Sequence, residues 1–204
     1  MLTLDHIAVL GETLEEAVAH AEAALGVPLQ PGGKHQRFGT HNRVIGLGGG
    51  IYLEAIAIDP AAPPPDRPRW FGMDDFRGPA RLDKWICAVP DMAAALAVFP
   101  EAGSPIELQR GDLRWTMAVP EDGRLAFDGL FPALIQWHGS VPPGKALPSQ
   151  GCRLQTLEVL HPAADQLAAR LAPHFSDARV RFTVADSPDL RATLNTARGP
   201  RVLT

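Results

Sequence analysis

Two ionisable side chains stand inside apolar runs that have the pattern of buried β-strands. His6 lies within Leu4–Val9, and Glu54 lies within Tyr52–Ile58. A charged side chain in an apolar strand costs free energy unless it is paired, hydrogen-bonded or bound to a metal ion. If the two strands are neighbours, the alternation of side chains allows His6 and Glu54 to point into one cavity. The pattern therefore predicts a site that contains an imidazole and a carboxylate.

This pair is compatible with three kinds of chemistry. An imidazole and a carboxylate beside open positions suit Fe(II), Mn(II), Ni(II) or Zn(II), so His6 and Glu54 are candidate ligands of a divalent metal. The two side chains can instead form a buried hydrogen-bonded pair without a metal. Glu54 can also act as a catalytic general base if burial raises its pKa, which proton abstraction beside a carbonyl group requires. These three interpretations remain open.

Two further polar residues follow the turn signal Gly39-Thr40, at the start of a predicted strand. In one interpretation, His41 and Asn42 belong to the turn, and their polar groups satisfy its backbone. In the other, they lie at the rim of the cavity, where His41 takes part in catalysis and Asn42 hydrogen-bonds the substrate.

Three tryptophans, Trp85, Trp115 and Trp137, fall on three different predicted strands in the second half of the chain. They form either a core cluster or an aromatic wall for an apolar or ring-bearing ligand. Arg110 and Arg114 flank Trp115, and one of them could meet a carboxylate or phosphate in that pocket. Arg114 is our candidate for this role.

The order of elements repeats along the chain. Residues 1–60 predict a β-α-β-β-β module, in which Thr13 and Glu16 form a capping box at the start of the helix and Gly26 ends it. Residues 61–80 are rich in proline and predict an extended connector. Leu82-Asp83 then repeats Leu4-Asp5, and residues 81–140 predict a second β-α-β-β-β module.

Residues 150–204 start the pattern a third time and predict a partial β-α-β-β unit that packs on the main sheets and covers one of their edges. The fold class is therefore α+β, with paired βαβββ modules that form curved mixed sheets and one partial third unit.

Composition excludes several classes of protein. The 204 residues carry a formal net charge of -4 with no basic run, which argues against nucleic-acid binding. No apolar stretch is long enough to cross a bilayer, and Met1–Val9 lacks the basic start of a secretory signal. With only two cysteines, a disulfide framework is not expected, so we predict a cytoplasmic protein.

Two modules with a histidine on the first strand and a glutamate on the fourth resemble the vicinal oxygen chelate superfamily. The runs Gly39–Arg43 and Tyr52–Pro60 are similar to its glyoxalase-like domain group, and the resemblance covers nearly the whole chain. It implies a cup around a divalent metal, with ligands from the first and fourth strands, here His6 and Glu54. It also implies a lyase, isomerase or dioxygenase that acts on a small oxygenated substrate, and a homodimer is compatible with it.

The second module departs from the superfamily pattern. The position that matches His6 holds Lys84, or Trp85 if the register slips by one residue, and the position that matches Glu54 holds Gln136 or a neighbour within Ala133–His138. Lysine and tryptophan are not ordinary metal ligands, and an amide oxygen is a weak one. The alternative function is therefore a metal-free protein that binds or sequesters a small molecule. The expected substrate-binding residues are Asn42, Trp85, Arg114, Trp115, Gln136 and Trp137.

Overall fold

The first module forms as the apolar pattern predicts. In the computed structural model, which describes residues 1–139 and 141–204, Thr13 caps the first helix: its Oγ1 accepts from the Glu16 N–H at 3.2 Å, and Gly26 ends the helix with a φ of 72°. The elements of this module are β1 (Thr3–Leu10), α1 (Leu14–Leu25), β2 (Gln30–His35), β3 (Thr40–Gly46) and β4 (Tyr52–Ile58).

The second module has the same order of elements. It consists of β5 (Arg81–Ala88), α2 (Met92–Val98), β6 (Ser104–Arg110), β7 (Leu113–Val119) and β8 (Ala133–His138). The predicted end of this module, residue 140, lies outside the described residues.

The two modules share one eight-stranded sheet with the strand order β2-β3-β4-β1-β5-β8-β7-β6. At its centre β1 and β5 run antiparallel, and each is flanked by the last strand of its own module in parallel orientation. The halves are therefore related by an approximate two-fold axis between β1 and β5. The predicted α+β class with paired βαβββ modules is confirmed.

The connector between the modules is more ordered than the extended segment that its prolines predict. It contains a short 3-10 helix, Trp70–Asp75, in which Trp70, Phe71 and Met73 are buried. Trp70 stacks on Phe38 of the first module, with ring centroids 4.2 Å apart. These aromatic contacts stabilise the connector, since they remove large apolar rings from water.

The C-terminal unit forms a separate four-stranded sheet. After α3 (Pro143–Ala146) come β9 (Arg153–His161), α4 (Ala164–Leu171), β10 (Val180–Val184), β11 (Asp189–Thr196) and β12 (Gly199–Leu203), in the sheet order β10-β9-β11-β12. The first strand of this unit pairs with the second in parallel, whereas in the two modules it pairs with the fourth. The crossover through α4 returns the chain directly beside β9, which is the arrangement that a parallel pair requires.

Trp85 joins the main sheet to this C-terminal unit. It is fully buried, its indole N–H donates to the Leu130 carbonyl at 2.8 Å, and its ring contacts Phe175 and Phe182 at centroid distances of 5.5 and 6.1 Å. The expectation that Trp85 contacts a ligand is corrected, because its side chain leaves the sheet on the face that the C-terminal unit covers.

No helix in the described part of the chain has both the length and the apolar character that a bilayer crossing requires. Cys87 and Cys152 are both buried, as a small core residue would be.

Because Trp85 fills the interface between the two sheets, we expect Trp85→Ala to lower the free energy of unfolding by about 3–5 kcal/mol through the cavity it creates. Trp85→Phe retains most of the ring and should cost markedly less. Urea unfolding followed by circular dichroism measures both variants. A loss below about 1 kcal/mol in Trp85→Ala would contradict the role of Trp85 in the core.

Candidate active site

The site begins with an irregularity in β1. Leu4 lies opposite Cys87 on β5 and His6 lies opposite Ile86, so Asp5 is an extra residue on its strand. Such a β-bulge re-aims the side chains around it. Asp5 and His6 therefore meet on one face of the sheet, although they are neighbours in sequence and would otherwise alternate.

Asp5 holds His6 in place. The His6 Nδ1–H donates to Asp5 Oδ1 at 2.6 Å, and the indole N–H of Trp137, on β8, donates to Asp5 Oδ2 at 2.9 Å. Asp5 is 7% exposed, so both hydrogen bonds are sheltered from water. Because Nδ1 is occupied in this way, the other ring nitrogen of His6 is directed toward Glu54.

His6 and Glu54 come together as the sequence predicts. Parallel pairing of β1 and β4 brings His6 Nε2 to 3.5 Å from Glu54 Oε1, and both side chains are almost fully buried. The His6 ring also stacks on Tyr52, with a centroid distance of 4.3 Å and an interplanar angle of 21°. The His6 ring is thus held at both nitrogens, by Asp5 and Glu54, and on one face by Tyr52.

Asn42 fixes the other oxygen of Glu54. The Asn42 Nδ2–H donates to Glu54 Oε2 at 2.6 Å, and the Gly33 N–H donates to Asn42 Oδ1 at 2.9 Å. A Cβ atom on Gly32 would lie 2.1 Å from Asn42 Oδ1, so only glycine leaves room for the amide. Asn42 therefore orients the carboxylate, and it also lines the cavity in which we expected it to contact the substrate.

His6 and Glu54 each favour the charged form of the other. Burial by itself lowers the pKa of His6, but the hydrogen bonds and negative charges of Asp5 and Glu54 outweigh burial and raise that pKa to about 9. Burial by itself raises the pKa of Glu54, but the hydrogen bond and charge of His6 hold it below its usual value. At neutral pH the pair is an imidazolium and a carboxylate. The raised pKa that we considered for Glu54 is corrected, because its partner is a cation.

His35 and Arg110 connect the two edges of the sheet. Arg110, on edge strand β6, donates from Nη1 to His35 Nε2 on edge strand β2 at 3.1 Å. Since arginine can only donate, His35 Nε2 carries no proton, and the Nδ1–H donates to Thr40 Oγ1 at 3.0 Å. Burial lowers the pKa of His35 to about 4 and outweighs the opposing charge of Glu54, while the charge of Arg110 lowers it further.

These groups surround a cavity of about 260 Å³ on the concave face of the sheet. Its polar end contains His6, His35, Asn42, Tyr52, Glu54 and Arg110. Its apolar wall includes Val44, Trp70, Phe71, Trp115, Met117, Ile135 and Trp137. The predicted aromatic wall thus contains Trp115 and Trp137, with Trp70 of the connector as a third member.

Besides Trp85, three residues that we expected in the site lie elsewhere. Gln136 is on the opposite face of β8, where its Oε1 accepts from the Met92 N–H of α2 at 2.8 Å. Arg114 lies opposite His138 in the pairing of β7 with β8 and is not part of the cavity lining. His41 is also outside the lining. Each is next to a residue that does line the cavity, and successive strand residues point to opposite faces.

The comparisons with known proteins agree with this architecture. The model of the glyoxalase-like domain matches residues 4–175. The chain belongs to the glyoxalase-like domain family. The resemblance to the glyoxalase-like domain group is thereby confirmed. None of the curated proteins matches the chain.

Among solved structures, a hypothetical protein from Staphylococcus aureus is similar over 93% of this chain and 88% of its own, with 13% identity and a TM-score of 0.61. A methylmalonyl-CoA epimerase from Streptomyces coelicolor, in complex with 2-nitronate-propionyl-CoA, covers 68% of this chain and 100% of its own at 18% identity, with a TM-score of 0.46. A methylmalonyl-CoA epimerase from Mycobacterium tuberculosis is similar over 66% of this chain and 85% of its own, with 15% identity and a TM-score of 0.42. At such identities, the Staphylococcus aureus protein shows the fold alone.

The approximate two-fold axis identifies the positions in the second module of this glyoxalase-like protein that match the site. Leu4 and Leu82 hold equivalent places in the β1–β5 pairing, so Lys84 matches His6, as the sequence predicted. Glu54 lies beside Ala8, and the equivalent pair, Ile86 with Ala133, places Ala133 at the glutamate position instead of Gln136. The Lys84 ammonium pairs with Asp83.

The residues present fit half of a metal site. His6 Nε2 and Glu54 Oε1 lie on the same side of the cavity, and the hydrogen bond from His6 Nδ1 to Asp5 is the kind that orients metal-binding histidines. Lys84 and Ala133 supply no ligand from the second module. Within the described residues, no group of three or more His, Cys, Asp or Glu side chains could hold an ion. A metal would therefore depend on water or substrate for its other ligands.

The buried neutral His35 makes stability depend on pH. Its pKa is about 4 in the folded protein and 6.5 in the unfolded chain, so the unfolded state binds more protons between these values. We expect this group to remove about 3 kcal/mol of stability as the pH falls from about 6.5 to about 4. His35→Gln retains an acceptor for Arg110, and its free energy of unfolding should fall less than that of the parent over this pH range.

Urea unfolding between about pH 4 and pH 8 tests this expectation. His138 is exposed, so His138→Gln is the matched control and should show the same pH dependence of the free energy of unfolding as the parent. Equal slopes in the parent and in His35→Gln would show that His35 does not carry the pH dependence.

Proposed function

We propose that this glyoxalase-like protein is an enzyme that moves a proton at a carbon beside a carbonyl group of a small oxygenated substrate, as an isomerase or lyase. The observation that carries the proposal is the buried His6–Glu54 pair, with its two functional atoms 3.5 Å apart at the polar end of the cavity. One member is positioned to donate a hydrogen bond and the other to accept a proton.

Glu54 acts as the base. Its carboxylate is ionised because the charge of His6 lowers its pKa, and Asn42 holds one oxygen so that the other faces the cavity. His6 acts as the electrophile, since its Nδ1–H is fixed by Asp5 and its Nε2–H can donate to a substrate oxygen. Asp5 is a positioning residue that also stabilises the imidazolium.

In the reaction, the C–H bond beside the carbonyl breaks and its proton passes to a Glu54 oxygen. The electron pair of that bond forms the enolate, whose oxygen accepts the hydrogen bond from His6 Nε2. Return of the proton from Glu54 to a neighbouring carbon on the same face gives the isomer, and loss of a leaving group from the carbon beside the enolate gives the lyase product. A hydrogen-bond donor such as His6 Nε2 lowers the activation barrier mainly by stabilising the negative charge that develops on the enolate oxygen.

Substrate binding also strengthens the base. In the free protein the positive charge of His6 lowers the proton affinity of Glu54. A carbonyl oxygen that accepts from His6 Nε2 draws that hydrogen bond away from the carboxylate, and displacement of water leaves Glu54 less solvated. Both effects raise the pKa of Glu54 toward the value that proton abstraction requires.

Deuterium exchange tests this function without knowledge of the product. Small ketones and 2-oxo acids, with phenylacetone and phenylpyruvate among them, are incubated with the protein in D₂O and followed by proton NMR. We expect exchange above the uncatalysed background, and at least about a 100-fold loss in Glu54→Gln because general-base catalysis contributes that much or more.

The exposed Glu107→Gln, on β6, is the matched control and should keep the parent rate. If no compound exchanges above background, or if Glu54→Gln exchanges as fast as the parent, the proton-transfer function is refuted. Saturable binding without exchange would instead support the alternative of a binding or sequestering protein.

A metal-assisted variant is the second candidate, because His6 and Glu54 lie as two ligands of one ion would. When bound, the ion would polarise the carbonyl group of the substrate. His6 and Glu54 would hold it, and Asp5 and Asn42 would orient these two ligands from behind.

Elemental analysis of protein purified without chelator or affinity metal tests this candidate, before and after incubation with Fe(II), Mn(II), Ni(II) and Zn(II). We expect a metal ligated by this pair to reach near-stoichiometric content and to be lost in both His6→Ala and Glu54→Ala. Content that does not fall in these variants would place the metal elsewhere on the protein.

A further inference from the structure

Arg110 is a charged group of the cavity lining that the proposed proton transfer does not use. We infer that its guanidinium binds a carboxylate of the substrate, so that the substrate is a small monocarboxylate with an apolar body. This inference rests on the proposed function for the identity of the reacting carbon, but the binding site itself stands on separate observations.

The first observation is that Arg110 has no acidic partner among the described residues. Its protein hydrogen bond goes from Nη1 to His35, and in that part of the chain no carboxylate lies within ion-pair distance of it. The two donors on the other edge of the guanidinium, Nε and Nη2, make no hydrogen bond to the described residues. A planar edge with two parallel N–H groups matches a carboxylate.

The second observation is that the partner of Arg110 is neutral. His35 Nε2 accepts from the guanidinium, so it carries no proton and cancels none of its charge. The hydrogen bond instead fixes the direction of the guanidinium. Gly33 shapes the same place, since a Cβ atom there would lie 2.6 Å from Arg110 Cδ. The cation is thus held in position without being neutralised.

The charges favour a monoanion. His6 is already paired with Asp5 and Glu54, and Arg110 is the cation among the described lining residues that has no carboxylate within ion-pair distance. These two cations and two carboxylates make the site neutral without a substrate, so a substrate carboxylate adds a single negative charge, which Arg110 meets directly. A phosphate would bring nearly a second negative charge close to Glu54, and no further described cation of the lining would meet it.

The cavity also limits the rest of the ligand. About 260 Å³ lies below the roughly 300–1,000 Å³ that drug-sized ligands occupy, so the enclosed part of the substrate is small. Trp115 and Trp137 lie on the same wall with ring centroids 5.7 Å apart, and Trp115 reaches His35 at 6.3 Å. An aromatic or branched apolar body therefore packs beside the carboxylate.

Calorimetric titration with non-reacting probes tests the inference. Phenylglyoxylate carries the carboxylate and has no exchangeable C–H, and phenylglyoxylamide is its neutral counterpart. We expect the parent protein to bind the acid at least about 10-fold more tightly than the amide, because hydrogen bonds to charged groups contribute that much. Arg110→Gln should remove this difference, while Arg114→Gln, on the outer face, should keep it.

Arg110→Lys keeps the charge but not the paired donors, so we expect it to bind the acid more weakly than the parent does, and thermal unfolding shows that each variant is folded. The inference is overturned if the acid and the amide bind equally, if neither binds at millimolar concentration, or if Arg110→Gln and Arg114→Gln behave alike. Tighter binding of phenyl phosphate than of phenylglyoxylate would overturn the assignment to a carboxylate.

Exchange on phenylacetone, a ketone without a carboxylate, separates this inference from the proposed function. We expect the parent protein to catalyse that exchange and Glu54→Gln to lose it, whether or not the acid is preferred in binding. Exchange that persists without any preference for the acid would refute the inference alone. A preference for the acid that depends on Arg110, without exchange on any ketone, would refute the proposed function alone.

Discussion

The β-bulge at Asp5 determines the chemistry of the cavity, because it turns two successive side chains of one buried strand to the same face. Without it, His6 would meet Glu54 alone. With it, the imidazole lies between two carboxylates, and its charge offsets the cost of burying both. Tyr52, Asn42 and the Trp137 indole then complete the contacts of these three groups, so a single irregular residue organises strands from both modules.

The curl of the eight-stranded sheet encloses these charged side chains. Its edge strands, β2 and β6, approach closely enough for His35 and Arg110 to hydrogen-bond across the gap. The connector adds Trp70 and Phe71 to the lining. Exclusion of water strengthens every electrostatic interaction inside such a cavity. The hydrogen bond between the edges therefore connects the two edge strands beside the His6–Glu54 pair.

Strand alternation and the repeat were enough to predict much of this structure. His6 and Glu54 fall on buried strands, and the duplicated order of elements indicates the fold, so both could be identified from the sequence. Asp5 could not, because a bulge reverses the alternation at one residue and leaves no local signal. Gln136 and Arg114 each lie one residue from a lining tryptophan, and a shift of one residue exchanges the faces of a strand. His35 and Arg110 meet only through the curl of the whole sheet.

The duplication has produced two unequal halves. The first module has the His6–Glu54 pair on its first and fourth strands, while the second has Lys84 and Ala133 at those places and directs Trp115 and Trp137 into the cavity. A symmetrical cup would offer the same groups at both ends, and a ligand could bind in either direction. In this chain, His6 and Glu54 come from the first half, and Trp115 and Trp137 come from the second. The difference between the two halves therefore gives the cavity a direction, which a reaction at one particular carbon would require.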